Sequence, residues 1–146
     1  MREVTNMKEA YRDFIGSMEA EIGRATEEIQ FFESEIESDY DAWDQSDYEE
    51  YQSWCNHKAH YESVLKWWTD QCKEFRWTRA EVQEVLDETK KLYAEYSIIT
   101  EHMMNCGIAD MHHDAWDELE GTRYVVRKKL IAVEEFSDFL ENGQLV

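Results

Sequence analysis

From Met7 to Ile36 apolar residues return at alternating steps of three and four: Met7, Tyr11, Phe14, Met18, Ile22, Ala25, Ile29, Phe32 and Ile36. That spacing places them on one face of an α-helix, and its closeness to a heptad predicts coiled-coil-like packing. A second ridge runs Tyr51, Trp54, Lys58, Tyr61, Leu65, Trp68, Cys72, Phe75. Lys58 is its one flaw, although a lysine stem can lie along an apolar neighbour while the ammonium reaches water. A third ridge is Val82, Val85, Thr89, Leu92, Tyr96, Ile99, Met103, and a fourth is Ala115, Leu119, Val126, Leu130, Val133, Phe136, Leu140.

Local signals place the ends. Ser46 with Glu49 has the S-x-x-E form of a capping box, with Asp41 as an alternative start, and Thr78 with Glu81 has the same form. Gly107, in "NCG", can take the left-handed conformation on which helices often stop. The fourth helix then opens near Asp110 or Asp114. Gly121 inside it is a candidate kink, and "ENGQLV" reads as a frayed tail. The expected helices are approximately 5–38, 46–75, 79–105 and 111–140. The chain has no proline and five glycines, which suits long helices joined by short turns.

The expected fold class is therefore all-α: four long helices in an antiparallel bundle or two stacked helical hairpins, forming a single acidic domain over 1–146. Internal duplication is a further expectation. "DAWD" occurs at Asp41–Asp44 and again at Asp114–Asp117, an offset of 73. The first and third ridges coincide at an offset of 74, pairing Met18 with Leu92, Ile22 with Tyr96, Ala25 with Ile99 and Ile29 with Met103.

Charge changes the picture more than composition does. Apolar content is ordinary at 42%, but 34 Asp and Glu against 15 Lys and Arg leave a net charge of −19. Self-repulsion of that size opposes a compact state and has to be offset by packing or by a partner. It argues against direct binding to nucleic acid or to an anionic membrane, and favours basic proteins, including those that bind nucleic acid. There is no apolar run near 18 residues and "MREVTNMKEAYRDF" lacks an apolar signal segment, so cytoplasmic residence is expected. Cys55, Cys72 and Cys106 are an odd set without a framework spacing and read as reduced thiols.

The charge is concentrated. "EEIQFFESEIESDYDAWDQSDYEEY", Glu27 to Tyr51, holds eleven Asp or Glu and no Lys or Arg, with Phe31, Phe32, Tyr40, Trp43, Tyr48 and Tyr51 threaded through it. Carboxylates can occupy the positions of DNA phosphates against the Lys and Arg of a binding groove. Aromatics beside them add desolvated anchors and can stack on arginine. The expected partner-binding residues are Glu33, Glu35, Glu37, Asp39, Asp41, Asp44, Asp47, Glu49 and Glu50 as phosphate substitutes, with Tyr40, Trp43 and Tyr48 as anchors. In composition alone the chain is similar to small, very acidic viral inhibitors of restriction and CRISPR nucleases, with no motif shared. The expected function is an acidic inhibitor or regulator that occludes the nucleic-acid-binding cleft of a target, possible phage or mobile-element origin included. The alternative is a structural or adaptor protein that self-associates, as a homodimer for example, through its aromatic seams.

Other chemistry is sparser. His102, Cys106 and His112 lie in "HMMNCGIADMHHD" and could ligate zinc, but at no standard spacing; Cys55, His57 and His60 form a weaker set. A metal-binding helical protein is thus a third reading, with no cofactor expected under the first two. No nucleophile elbow, phosphate-binding glycine loop or paired Glu-x-x-His is present, so an enzyme is not expected. Trp67, Trp68 and Trp77 are read as packing residues, Trp77 as a staple ahead of the third helix. A basic island, "RYVVRKK" from Arg123 to Lys129, could pair with the acidic stretch within the chain or across a dimer.

Overall fold

Each ridge coils into one helix. The computed structural model describes residues 2–105, 107 and 113–145, with side chains from Asn6 onward and, in the last helix, from Asp114. Its helices are α1 (Arg2–Ser38), α2 (Gln45–Gln71), α3 (Arg79–Asn105) and α4 (His113–Asn142), with no strand among the described residues. α1 packs on α2 and α3 on α4, giving two antiparallel hairpins stacked chiefly through α2 and α4. The all-α expectation is met in its stacked-hairpin form. No helix is long and apolar enough to cross a membrane among the described residues.

Several local expectations are corrected. The box that opens α2 is Asp44 with Asp47, not Ser46 with Glu49. Asp47 N–H donates to Asp44 Oδ1 at 2.9 Å, and Asp44 N–H donates to Asp47 Oδ2 at 3.0 Å. A carboxylate is as good a cap as a hydroxyl, and it also suits the positive end of the helix dipole. At the other end α2 stops at Gln71, short of the expected 75, with Cys72 extended. The 72–78 connection instead folds Phe75 and Trp77 onto Trp68, with ring centroids at 6.3 and 5.3 Å. Three packed rings outweigh one further helical turn. The Thr78 hydroxyl caps α3, accepting from Glu81 N–H at 3.1 Å, which is the hydroxyl half of the expected box. Gly107 takes φ 71, as its position after α3 requires. α4 runs through Gly121 without a break. The tail is also less frayed than expected: Gly143 turns at φ 74, its N–H donates to Phe139 O at 2.7 Å, and Leu145 packs against the core.

The core lies where the hairpins overlap. Phe14, Met18, Trp68, Val133 and Phe136 are its most buried members, and Trp68 is 0% exposed. The Trp68 indole N–H donates to Ala132 O of α4 at 2.9 Å. Tyr11 stacks on Phe75 at 4.3 Å and meets Phe136 edge-on at 5.9 Å. The aromatic seams are therefore largely turned inward within one chain. Two histidines of α2 bridge to neighbouring helices: His57 to Glu21 of α1 at 2.9 Å and His60 to Glu135 of α4 at 2.8 Å.

The third ridge departs from the reading. Val82, Leu86, Thr89 and Thr100 are buried, whereas Leu92 and Ile99 are exposed. A strict seven-residue repeat drifts around a straight α-helix by about 20° per heptad, so the distal half of the ridge rotates away from α4. Thr89 is buried as expected and Thr100 joins it, because each hydroxyl donates to its own helix, Thr89 to Val85 O and Thr100 to Tyr96 O, both at 2.6 Å. Val64, Ala132 and Phe139 are buried positions outside the expected ridges.

The hairpins overlap only in part. From Ala132 to Glu135 and on toward Leu145, α4 passes Trp68, then His60, then the Trp54–His57 segment. It thus runs antiparallel to α2 and toward the 39–44 turn, so that turn and the start of α4 lie toward opposite ends of the molecule. The accessible surface, 10012 Å² for 17.6 kDa, agrees with an elongated shape. A compact monomer of this mass exposes about 7,900 Å². The two "DAWD" copies do not coincide structurally: the first is the connection that caps α2, the second lies inside the first turn of α4.

Two predictions follow from the overlap. Replacing Trp68 by Phe removes the indole bond and is expected to cost about 1–2 kcal/mol; replacing it by Ala is expected to cost about 3–5 kcal/mol. Urea unfolding followed by circular dichroism measures both. The His60 pKa is raised above 6.5, mainly by its hydrogen bond to Glu135, against an opposing desolvation. A raised folded-state pKa gives stability that is fully present below pH 6.5 and is lost as pH rises through the folded value. Wild type is thus expected to lose stability relative to Glu135→Gln over that window. With the ring 39% exposed the difference is at most about 1 kcal/mol.

Candidate functional site

The hairpin of α1 and α2 ends in the acidic stretch, and its turn is built by that stretch itself. Asp39 Oδ1 accepts from Asp41 N–H at 3.1 Å, closing a local side-chain turn, and Ala42 N–H donates to Asp39 O at 3.0 Å. Asp44 and Asp47 then cap α2. Across the hairpin the Tyr51 hydroxyl donates to Glu33 Oε1 at 3.0 Å. That bond, with a smaller contribution from burial, pushes the Tyr51 phenol up to about 12.

The other acids have no such local duty. Glu35, Glu37, Asp41 and Glu50 are exposed and make no side-chain hydrogen bond among the described residues. Glu49 accepts only from Gln45, at 3.3 Å. Among the described residues no carboxylate between Glu27 and Tyr51 has an ion-pair partner. The nearest bases in sequence are Arg24 and Lys58. Arg24 already pairs with Glu21 at 3.4 Å and covers the Trp54 ring at 5.1 Å.

Position matters as well as number. Asp44, Asp47 and Glu49 stand at the start of α2, where negative charge is favoured. Glu35 and Glu37 stand in the last turn of α1, which carries no basic residue, and there negative charge faces the carbonyl end of the helix. The acids of α2 thus have a structural reason to be acidic. Those of α1 are held against a local cost.

The aromatics divide differently from the expectation. Trp43 is spent on packing: it meets Phe32 at 5.6 Å, Tyr48 at 4.9 Å and Tyr51 at 5.0 Å, sealing the end of the α1–α2 seam. Tyr40 is the open one, 83% exposed, and Tyr48 is exposed on one side. Phe31, 59% exposed, was not among the expected anchors. The signal was present, since Phe31 and Phe32 are adjacent and only one of two neighbours on a helix can face the seam.

The remaining candidates do not gather. His102 is in the last turn of α3, and Cys106 and His112 lie outside the described residues. Among the described residues no three His, Cys, Asp or Glu side chains are placed to share a metal ion. His57 and His60 point to carboxylates on different helices. In the basic island Arg123 turns inward to Tyr93, Ser97 and Glu120, and Lys128 lies over Tyr124 at 4.8 Å. None of its recorded bonds reaches the acidic stretch. An open groove between α1 and α4, floored by Met7, Ala10, Phe139 and Leu140, lies at the overlap and involves none of the tip residues.

The Trp43 indole N–H is buried without an acceptor among the described residues. Trp43→Phe keeps the ring and removes that donor, so its stability is expected to stay within about 1 kcal/mol of wild type. Trp43→Ala opens the tip and is expected to cost about 2–4 kcal/mol by urea unfolding. Comparison with protein-family models, with curated proteins and with solved structures finds no match for this chain.

Proposed function

We propose that the chain is an acidic protein-binding inhibitor or regulator, and that the tip of the α1–α2 hairpin occupies the nucleic-acid-binding cleft of a target protein. The single observation that supports this reading most is the unneutralised tip. Eleven carboxylates share a narrow helical hairpin with no ion-pair partner among the described residues, and exposed Phe31, Tyr40 and Tyr48 stand among them. A rod bearing closely spaced negative charge matches what a DNA-binding groove is built to receive. Glu35, Glu37, Asp41 and Glu50 supply the free charge; Phe31 and Tyr40 supply apolar contact and stacking surfaces for arginine. The field of the tip also speeds the encounter with a basic target.

The reading belongs to the class of cytosolic, phage-type inhibitors of restriction or CRISPR nucleases by analogy of charge and shape. A second reading, a self-associating structural or adaptor protein, is favoured by a different observation: Leu92, Ile98, Ile99 and Val125 are exposed on the α3–α4 hairpin.

The test is capture of partners from a host lysate by wild type and by a quadruple variant, Glu35→Gln, Glu37→Gln, Asp41→Asn and Glu50→Gln. These four positions leave the caps of α2 intact, and folding is checked by circular dichroism. The expected result is a nucleic-acid-binding protein retained by wild type, displaced by duplex DNA and by about 0.5 M salt, which screens exposed charge within a few ångströms. The variant is expected to retain it at least about tenfold more weakly. Equal recovery by both proteins, or retention indifferent to DNA, overturns the proposal.

A further inference from the structure

The α3–α4 hairpin carries the counterpart of the acidic tip. Midway along it, Lys90 and Lys91 of α3 stand level with Arg127, Lys128 and Lys129 of α4, since Tyr93 and Ser97 lie opposite Arg123 in this antiparallel pair. All five are exposed. Lys90, Lys91, Arg127 and Lys129 have no ion-pair partner among the described residues, in a chain with more than twice as many acids as bases.

Apolar surface adjoins this collar. Leu92 and Ile99 of α3 and Val125 of α4 are exposed just beyond it. Val125 continues the side of α4 that is covered lower down. Ala132 is two helical turns from Val125 on α4, lies on the same side and is fully buried in the core. Beyond the overlap that side is bare, because the first hairpin points the other way.

We propose that this collar and its apolar flank are the docking surface for the acidic tip of a second copy of this chain, in a twofold dimer of antiparallel rods. The occupant follows from charge and geometry together. The tip concentrates unpaired carboxylates beside exposed Phe31 and Tyr40, and the flank sets five exposed cations, against the nearby acids Asp87, Glu88 and Glu95, beside exposed Leu92, Ile99 and Val125. Within one chain Lys128 faces the middle of the first hairpin, in a groove shared with Glu19, Glu62 and Asp70, and none of the acids of the tip lines that groove. Two chains laid antiparallel bring each tip to the other's flank, and a twofold axis closes the assembly without leaving a free end. A stable pair needs about 800 Å² from each partner. The proposal does not depend on the mimicry reading, because the same contact would form with no target present.

The test uses the purified full-length chain alone. Light scattering with size exclusion, at low salt and over a concentration series, is expected to give twice 17.6 kDa. Raising salt to about 0.5 M is expected to shift the dimer toward monomer by about tenfold or more in dissociation constant, since the contacts are largely charged. Two charge-reversed variants add a stricter readout. One carries Lys90→Glu, Lys91→Glu, Arg127→Glu and Lys129→Glu; the other carries Glu35→Lys, Glu37→Lys, Asp41→Lys and Glu50→Lys. Each is expected to be monomeric alone, because like charges then face each other. Mixed one to one they are expected to form a heterodimer, with both contacts restored. A wild-type monomer at every concentration at low salt overturns the proposal, and so does a dimer that survives both reversals. If either variant fails to fold, the wild-type mass and its salt dependence decide the matter alone.

Discussion

Trp68 sits where the two hairpins meet, and its indole N–H bonds to a carbonyl that α4 has to bring within reach. The ring is surrounded by Phe14, Phe75, Trp77 and Phe136, contributed by α1, the α2–α3 connection and α4. A donor this deeply buried is costly if unpaired, so the approach of α4 is constrained in register as well as distance. Much else depends on that register. It sets His60 opposite Glu135, carries Leu145 back toward the α1–α2 seam, and determines how far the hairpins overlap. Because the overlap is partial, each hairpin keeps a distal half that the rest of the chain does not cover.

The two distal halves are chemically unlike. The first is closed by its own aromatics, with Trp43 filling the end of the seam, and its outer surface is given over to carboxylates. The second is joined at one level through polar contacts, with Arg123 reaching Tyr93 and Ser97 and Thr100 bonded within its own helix. Leucine and isoleucine are left on its flank. One end is therefore dominated by exposed charge and the other by exposed aliphatic side chains. A helical pair with a symmetrical division of labour would have buried its aliphatics and balanced its charge at both ends.

Much of this architecture was legible in the residues. The first ridge, Met7 to Ile36, was read without error because every member is apolar and the helix has a partner along its length. The ends of α3 were legible from Thr78 and Gly107, whose roles are local. The misreadings have physical causes. Ser46 looked like a cap, but an aspartate two residues earlier fits the same geometry. Leu92 and Ile99 followed a heptad that a straight helix cannot keep facing one neighbour, while Thr100 looked polar although its hydroxyl is satisfied within the helix. At the tip, the carboxylates were legible as a charge run. The exposure of Phe31 was legible from its adjacency to Phe32, but whether Trp43 stays open was not, because that depends on which rings the turn at Asp39 to Asp44 folds inward.

The division into two hairpins also orders the assembly of the molecule. Within each hairpin the contacting helices are adjacent in the chain, so a short loop closes them at little entropic expense. The contacts between hairpins join residues far apart in sequence, 64 positions in the case of Trp68 and Ala132. The hairpins are thus expected to form early and to dock late. Until α4 arrives, the first hairpin holds its aromatic base, Tyr11, Phe14 and Trp68, open to water, while its acidic tip is already complete. If docking is late, the like charge at the tip opposes association of one unfinished molecule with the next.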